Sequence, residues 1–164
     1  MVSEDILTQR AFISTPIGMV EIIAELGQIT GLYFREQGPQ EIVPEALTEA
    51  CRQIKSYFSG ELLTFSLPLK LNGTAFQQSV WKLLLNVQYG TTTTYGELAD
   101  KLNIRNGARA VGLANGANPV SIIVPCHRVI GRNGKLTGYA GGLWRKEWLL
   151  KLESAELNKG LFLK

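Results

Sequence analysis

The sequence predicts an α/β (α+β) chain in two parts, a small strand-rich unit followed by a mainly helical one. Three observations predict it. Before residue 37 the apolar residues come in short runs broken by turn dipeptides. After residue 45 they recur every three or four positions. At residues 67–73 an extended Leu-Pro-Leu-Lys-Leu-Asn-Gly stretch separates an acidic half from a basic one. Residues 1–70 hold five Lys/Arg against nine Asp/Glu, a net −4, and residues 71–164 hold twelve against five, a net +7. The predicted domains are therefore 1–70 and 71–164. With 164 residues, 45% of them hydrophobic and 19% charged, the chain can bury a core without staples and is too apolar for intrinsic disorder. A basic half suits a polyanionic partner and suits a plain solvated face equally well.

In the first unit Ala11–Ser14, Val20–Leu26 and Ile29–Phe34 read as strands. The Pro16-Ile17-Gly18 and Gly27-Gln28 signals between them are short, which makes the three an antiparallel meander. Beyond Gly38-Pro39 and Pro44, the residues Leu47, Ala50, Cys51, Ile54, Tyr57 and Phe58 share one face of a helix that Gly60 ends, so Cys51 belongs to the core. In the second unit Thr74-Ala75-Phe76-Gln77 is a capping-box pattern, and Phe76, Val80, Leu83, Leu84 and Val87 mark the buried side of a helix closed by Tyr89-Gly90. Thr94 caps a short helix through Leu102. After the Asn106-Gly107 turn a second helix runs from Ala108 to Ala117, giving a helix-turn-helix arrangement. Its residues Ala108, Ala110, Gly112, Ala114, Gly116 and Ala117 are small, with Arg109 near the start; small residues serve a tight helix pair or close approach by a ligand, and the basic charge favours the ligand. Val120–Val124 reads as a short buried strand entering Pro125-Cys126-His127-Arg128-Val129-Ile130. A Gly131–Gly134 turn and a Gly138–Gly142 loop follow, and Trp144, Trp148 and Leu152 mark a final helix.

Several function classes drop out. Met1–Asp5 has no basic segment leading into an apolar one, and no run approaches the roughly 20 apolar residues that span a bilayer, so a cytoplasmic protein without membrane partner is expected. Cys51 and Cys126 are expected as free thiols, and one histidine with two distant cysteines falls short of a zinc site; no metal is expected. The chemistry belongs to Cys126. A cysteine reacts as thiolate, yet an unperturbed thiol, with a pKa of ~8.5, is mostly protonated at neutral pH and needs a base or cations nearby. His127, Arg128 and Arg132 offer both. Adjacent residues of a turn do not face each other, so His127 is expected to reach Cys126 through a bridging water. Glu97, Asp100, Glu147, Glu153 and Glu156 are all candidates for a carboxylate behind the imidazole, and the spacing does not choose among them.

A Cys-His pair alone is more readily packing than chemistry. A longer pattern decides. Arg109-Ala110-Val111-Gly112, Asn118-Pro119-Val120, Pro125–Ile130 and Gly138-Tyr139-Ala140-Gly141-Gly142, with Phe76-Gln77-Gln78 and Thr94-Tyr95-Gly96-Glu97-Leu98-Ala99, resemble the O6-alkylguanine-DNA alkyltransferases from Gly73 to Glu153. The resemblance implies a ribonuclease-H-like first domain and a winged-helix-like second one. It implies a protein that rotates O6-alkylguanine out of double-stranded DNA and keeps the alkyl group as a thioether on Cys126, each chain acting once. His127 is then the water-bridged base, Glu153 the carboxylate that orients it, Asn118 a support of this network, and Tyr95 the proton donor to the departing guanine. Arg109 is the finger filling the vacated stack. Ala108, Ala110 and Gly112 enter the minor groove, Thr94 and Arg128 also face DNA, and Tyr95, Val124, Tyr139, Ala140 and Gly141 form the substrate pocket. The resemblance implies no cofactor and a monomer in solution, and it leaves cooperative assembly on DNA open.

The departures have consequences. Ala140 stands where some relatives carry serine, which removes a hydroxyl from the pocket. Gly116-Ala117 lacks an arginine that relatives often have, which lowers phosphate attraction, and vertebrate-type zinc ligands are missing. Three other classes fit less well. A lesion-binding module without acceptor conflicts with the presence of Cys126, and a winged-helix regulator would want a cysteine cluster in the first unit. A cysteine hydrolase needs better geometry than sequence neighbours supply.

Overall fold

The computed structural model describes residues 7–162, with side chains through Ser154; Met1–Asp5 and the Glu156 side chain lie outside the described residues. The chain divides into two compact units, Met1–Asn72 and Gly73–Lys164.

The first unit is an antiparallel sheet of β1 (Thr8–Thr15), β2 (Gly18–Glu25) and β3 (Gln28–Arg35), in that order, covered by helix α1 (Thr48–Phe58). The register sets Ile13 opposite Val20 and Ile22 opposite both Ala11 and Leu32, so the alternating apolar residues of three strands meet on one buried face. Ala50, Cys51, Ile54, Tyr57 and Phe58 are the buried stripe of α1, and Cys51 is a core thiol whose burial pushes its pKa up to about 11. Part of the 67–73 stretch is not a free connector. The Ile29 N–H donates to the Pro68 carbonyl and the Lys70 N–H to the Ile29 carbonyl, because the open edge of β3 offers backbone groups that need partners.

In the second unit, α2 (Ala75–Leu84) begins with the Thr74/Gln77 capping box. Trp81, the largest buried side chain there, donates its indole N–H to the Ala114 carbonyl at 2.8 Å and so ties α2 to a later helix. The predicted extension to Tyr89 does not form. Leu85 still bonds back to the Trp81 carbonyl, but Asn86 and Val87 wind off in tight turn bonds, and the Val87 carbonyl accepts from Arg128 instead. Thr94 closes a second capping box with Glu97 at the start of α3 (Tyr95–Lys101), and α4 (Ala108–Gly116) follows, burying Val111, Ala114 and Asn115. Strands β4 (Thr93–Thr94) and β5 (Val129–Ile130) pair in parallel, and α5 (Leu143–Phe162) completes the unit. No helix among the described residues is long and apolar enough to cross a membrane.

The predicted strand at Val120–Val124 is absent. The segment is buried, as its composition requires, but it folds as successive turns, with Ile122 at φ 73° and the Asn118 amide bonding to the Val120 N–H and the Val124 carbonyl. The β-branched residues here serve burial, and one asparagine supplies the hydrogen bonds a neighbouring strand would have given.

Candidate active site

Cys126, His127 and Arg128 form one buried 3-10 turn, held at its entry by the Cys126 N–H donating to the Val124 carbonyl. Such a turn sends consecutive side chains in different directions, and two environments result.

In the first environment His127 and Arg128 converge on Glu153 of α5. His127, with no exposed surface, has its Nε2 2.7 Å from Glu153 Oε1. Arg128 donates from Nη2 to Oε1 at 2.9 Å and from Nε to Oε2 at 3.0 Å, and the Gly90 N–H reaches Oε2 at 3.2 Å. Burial alone would raise the Glu153 pKa, but the His127 and Arg128 donors outweigh it and hold the carboxyl at about 2. An ionised carboxylate can only accept, so the imidazole proton sits on Nε2. His127 Nδ1, buried and without a protein partner among the described residues, is therefore a lone pair. Burial lowers the His127 pKa, and Arg128 already balances Glu153, so the ring stays neutral at pH 7 and is fit to receive a proton.

The second environment surrounds Cys126, which is 3% exposed. Burial raises its pKa; Asn118, the charge of Lys146 and the Ser121 hydroxyl act in the opposite sense. Tyr139 lies close enough for the thiol to raise its phenol further, beyond the large effect of burial. Lys146 is fully buried and donates from Nζ to the Thr137 and Gly138 carbonyls at 2.8 and 3.3 Å. Burial drops its pKa to about 8 while Cys126 pulls it back up. Its ammonium also lies 5.9 Å from the centre of the Tyr95 ring, whose hydroxyl donates to the same Thr137 carbonyl at 3.1 Å. One cation thus ties the thiol, the glycine-rich loop and Tyr95 together. Among the described residues no group of histidine, cysteine and acidic side chains is arranged to hold a metal.

A buried thiol, an imidazole oriented by a carboxylate, and a helix-turn-helix bearing exposed Arg109 lie in one unit. Residues 75–155 match the family described as "6-O-methylguanine DNA methyltransferase, DNA binding domain" and residues 9–71 the "6-O-methylguanine DNA methyltransferase, ribonuclease-like domain". The chain belongs to this family. It is 48% identical over 157 residues to the methylated-DNA–protein-cysteine methyltransferase of Mycobacterium bovis, covering 92% of this chain and 95% of the relative. It is 46% identical over 152 residues to that of Methanosarcina acetivorans, covering 88% and 97%. The crystal structure of Mycobacterium tuberculosis OGT in complex with DNA superimposes with a TM-score of 0.82 at 49% identity, covering 88% of this chain and 92% of that one.

Within this family frame the residues singled out from sequence divide clearly. The structure brings Asn118 and Tyr139 close to Cys126 and bonds Asn118 to the Val124 carbonyl, sets His127 and Glu153 in one pair, and places Tyr95 at the loop beside Lys146. Arg109, Ala108 and Ala110 are exposed on α4, and Gly112 backs onto the Tyr95 ring, where an added Cβ would stand 3.7 Å from it. Ala140 is exposed, and Gly141 is buried with its carbonyl accepting from Arg145 at 2.8 Å. The Thr94 hydroxyl accepts from the Glu97 N–H.

Arg128 is a correction. It was expected at DNA, but it is 6% exposed and committed to Glu153 and the Val87 carbonyl, because a buried carboxylate needs a permanent countercharge. Arg132 is exposed at the turn after β5. Of the rival carboxylates, Glu97 caps α3, Glu147 pairs with Lys151 at the surface and Asp100 is exposed. Sequence reading missed Lys146. The signal was there: Lys146, Leu149 and Glu153 fall at i, i+3 and i+7, a lysine on the buried stripe of a helix.

Proposed function

We propose that this protein repairs O6-alkylguanine in double-stranded DNA by moving the alkyl group irreversibly onto Cys126, one group per chain. The observation that carries the reading is the neutral His127, its Nε2 proton fixed by Glu153 and its Nδ1 lone pair open, on the same turn as a buried cysteine. The thiol proton passes to Nδ1 through a bridging water. The sulfur pair attacks the alkyl carbon in line, the carbon–oxygen bond breaks, and its electrons go to the guanine. Tyr95 lends its hydroxyl proton to the base as charge develops, so guanine leaves neutral. Lys146 steadies the thiolate and holds the loop over it. Arg109 fills the space of the extruded nucleotide while Ala108, Ala110 and Gly112 let α4 approach the minor groove, and Tyr139, Ala140, Gly141 and Val124 bound the base pocket. Asn118 keeps the 120–124 turn under the sulfur. The protein acts as a cytoplasmic monomer and needs no cofactor.

The test is mass measurement of the intact chain and its peptides after incubation with duplex DNA bearing O6-methylguanine. One methyl on the Cys126 peptide and none on Cys51 is expected, with transfer ceasing at one per chain. Cys126→Ser should bind the duplex and accept nothing. Repeated turnover or methylation of Cys51 would contradict the mechanism.

A further inference from the structure

Helix α4 carries one large apolar side chain on its outer face. Leu113 is 74% exposed, the most exposed large apolar residue among the described residues of the second unit. It plays no part in packing the helix, which is buried through Val111, Ala114 and Asn115. Scattered surface leucines are ordinary, but the surroundings of this one are specific. Arg109 lies one turn before it on the same face, and its other neighbours there, Ala110, Gly116 and Ala117, are exposed and too short to shield it. The helix has no carboxylate. At its N-terminal end a cleft of about 480 Å³ is lined by Tyr95, Ala108 and the exposed Arg132, together with Glu97 and Asp100 of α3. The face therefore presents an arginine, then a leucine, on a bed of methyl groups and bare backbone.

We propose that Leu113 is a wedge for the duplex: it packs on the deoxyribose walls of the minor groove one turn beyond Arg109 and holds the groove open while the nucleotide leaves. The inference rests on the proposed repair function and adds a positioning residue to it. Four residues of helix advance about 6 Å, roughly two base steps, so the leucine meets the duplex beside the disrupted step and not in it. A narrow groove walled by sugars offers apolar surface to a branched side chain, and a side chain lodged between those walls keeps them apart without entering the base stack. The contact also compensates, without charge, for the cation missing at Gly116-Ala117.

The test is Leu113→Ala in the full chain, with Leu113→Met as the conservative partner. Affinity for lesion-bearing duplex is measured across a salt series, and transfer rates to Cys126 are compared for that duplex and for free O6-benzylguanine. Leu113→Ala should weaken duplex binding about tenfold with the salt slope unchanged, because no ionic contact is lost. The ratio of duplex to free-base rates should fall by a similar factor, and Leu113→Met should restore most of both. Unchanged or tighter duplex binding, a flattened salt slope, or a constant ratio of rates would each overturn the proposal. Failure of the repair reading looks different: the unaltered chain would transfer no alkyl group from either substrate.

Discussion

Glu153 keeps its charge in the interior because two donors of different kind meet it, one permanent and one that titrates. Arg128 neutralises it at every accessible pH, which leaves His127 free to be uncharged and basic. His127→Ala should therefore slow transfer by about 10²–10⁴-fold, the usual range for a lost general base. The pH profile follows from the shifts. A histidine with a lowered pKa remains a base as pH falls through 6.5, so the acid limb of the transfer rate should lie below pH 6.5. Lys146, lowered to about 8, loses its cation as pH rises through that value, so a basic limb should stand near pH 8. Lys146→Arg keeps the charge and should abolish the basic limb. A limb that stayed near pH 8 in that variant would assign it to another group. The reach of sequence reading is uneven at this scale. Cys126, His127 and Asn118 sit in a contiguous motif, whereas the Lys146 interaction joins residues 20 positions apart and depends on which face of α5 turns inward.

The helix-turn-helix was legible element by element because its signals are local. Thr74 and Thr94 cap their helices with reciprocal Gln77 and Glu97 bonds, as short-range backbone chemistry dictates. Thr94→Ala should cost about 1 kcal/mol, read as a lowered denaturation midpoint. The small residues of α4 allow a sharper experiment. A Cβ at Gly112 would meet only the Tyr95 ring at 3.7 and 3.8 Å, ordinary contact distances, so Gly112→Ala should stabilise the helix by about 0.5–1 kcal/mol in denaturant titration. At Gly107 a Cβ would stand 2.6 Å from Ile104 Cγ2 and 3.0 Å from the Ile104 carbonyl, so Gly107→Ala should lower the same midpoint. The Val120–Val124 segment was misread because four apolar residues out of five, three of them consecutive, announce burial but not backbone shape. Ile122 adopts a left-handed conformation that no propensity favours, which only the surrounding turns and the Asn118 amide can hold.

For the molecule as a whole, Glu153 couples the site to stability. Its folded pKa of about 2 lies below the ordinary carboxylate value of 4.5, so it stabilises the fold above pH 4.5 and that contribution is lost as pH falls toward 2. The denaturation midpoint should drop over this window, and Glu153→Gln, already less stable at neutral pH, should show a smaller drop. An equal drop in both would place the acid sensitivity elsewhere. Lys146 works at the other end. Its lowered pKa means that folding is favoured by the neutral amine, so stability should rise as pH climbs from about 8 to the unfolded value of 10.5 and level off above it.

By itself the sequence determined the two-unit organisation, the meander, the capped helices and the cysteine motif, because each is written in residues a few positions apart. Tertiary structure alone decided that Arg128 faces inward, that Lys146 joins the thiol to Tyr95, and that Leu113 faces outward, and it set Glu153, which spacing did not choose and the resemblance implied, against His127. These depend on the rotation of α4 and α5 about their own axes. That rotation is set by the packing of the whole unit around Trp81, Val111 and Leu149, and not by any local stretch of chain.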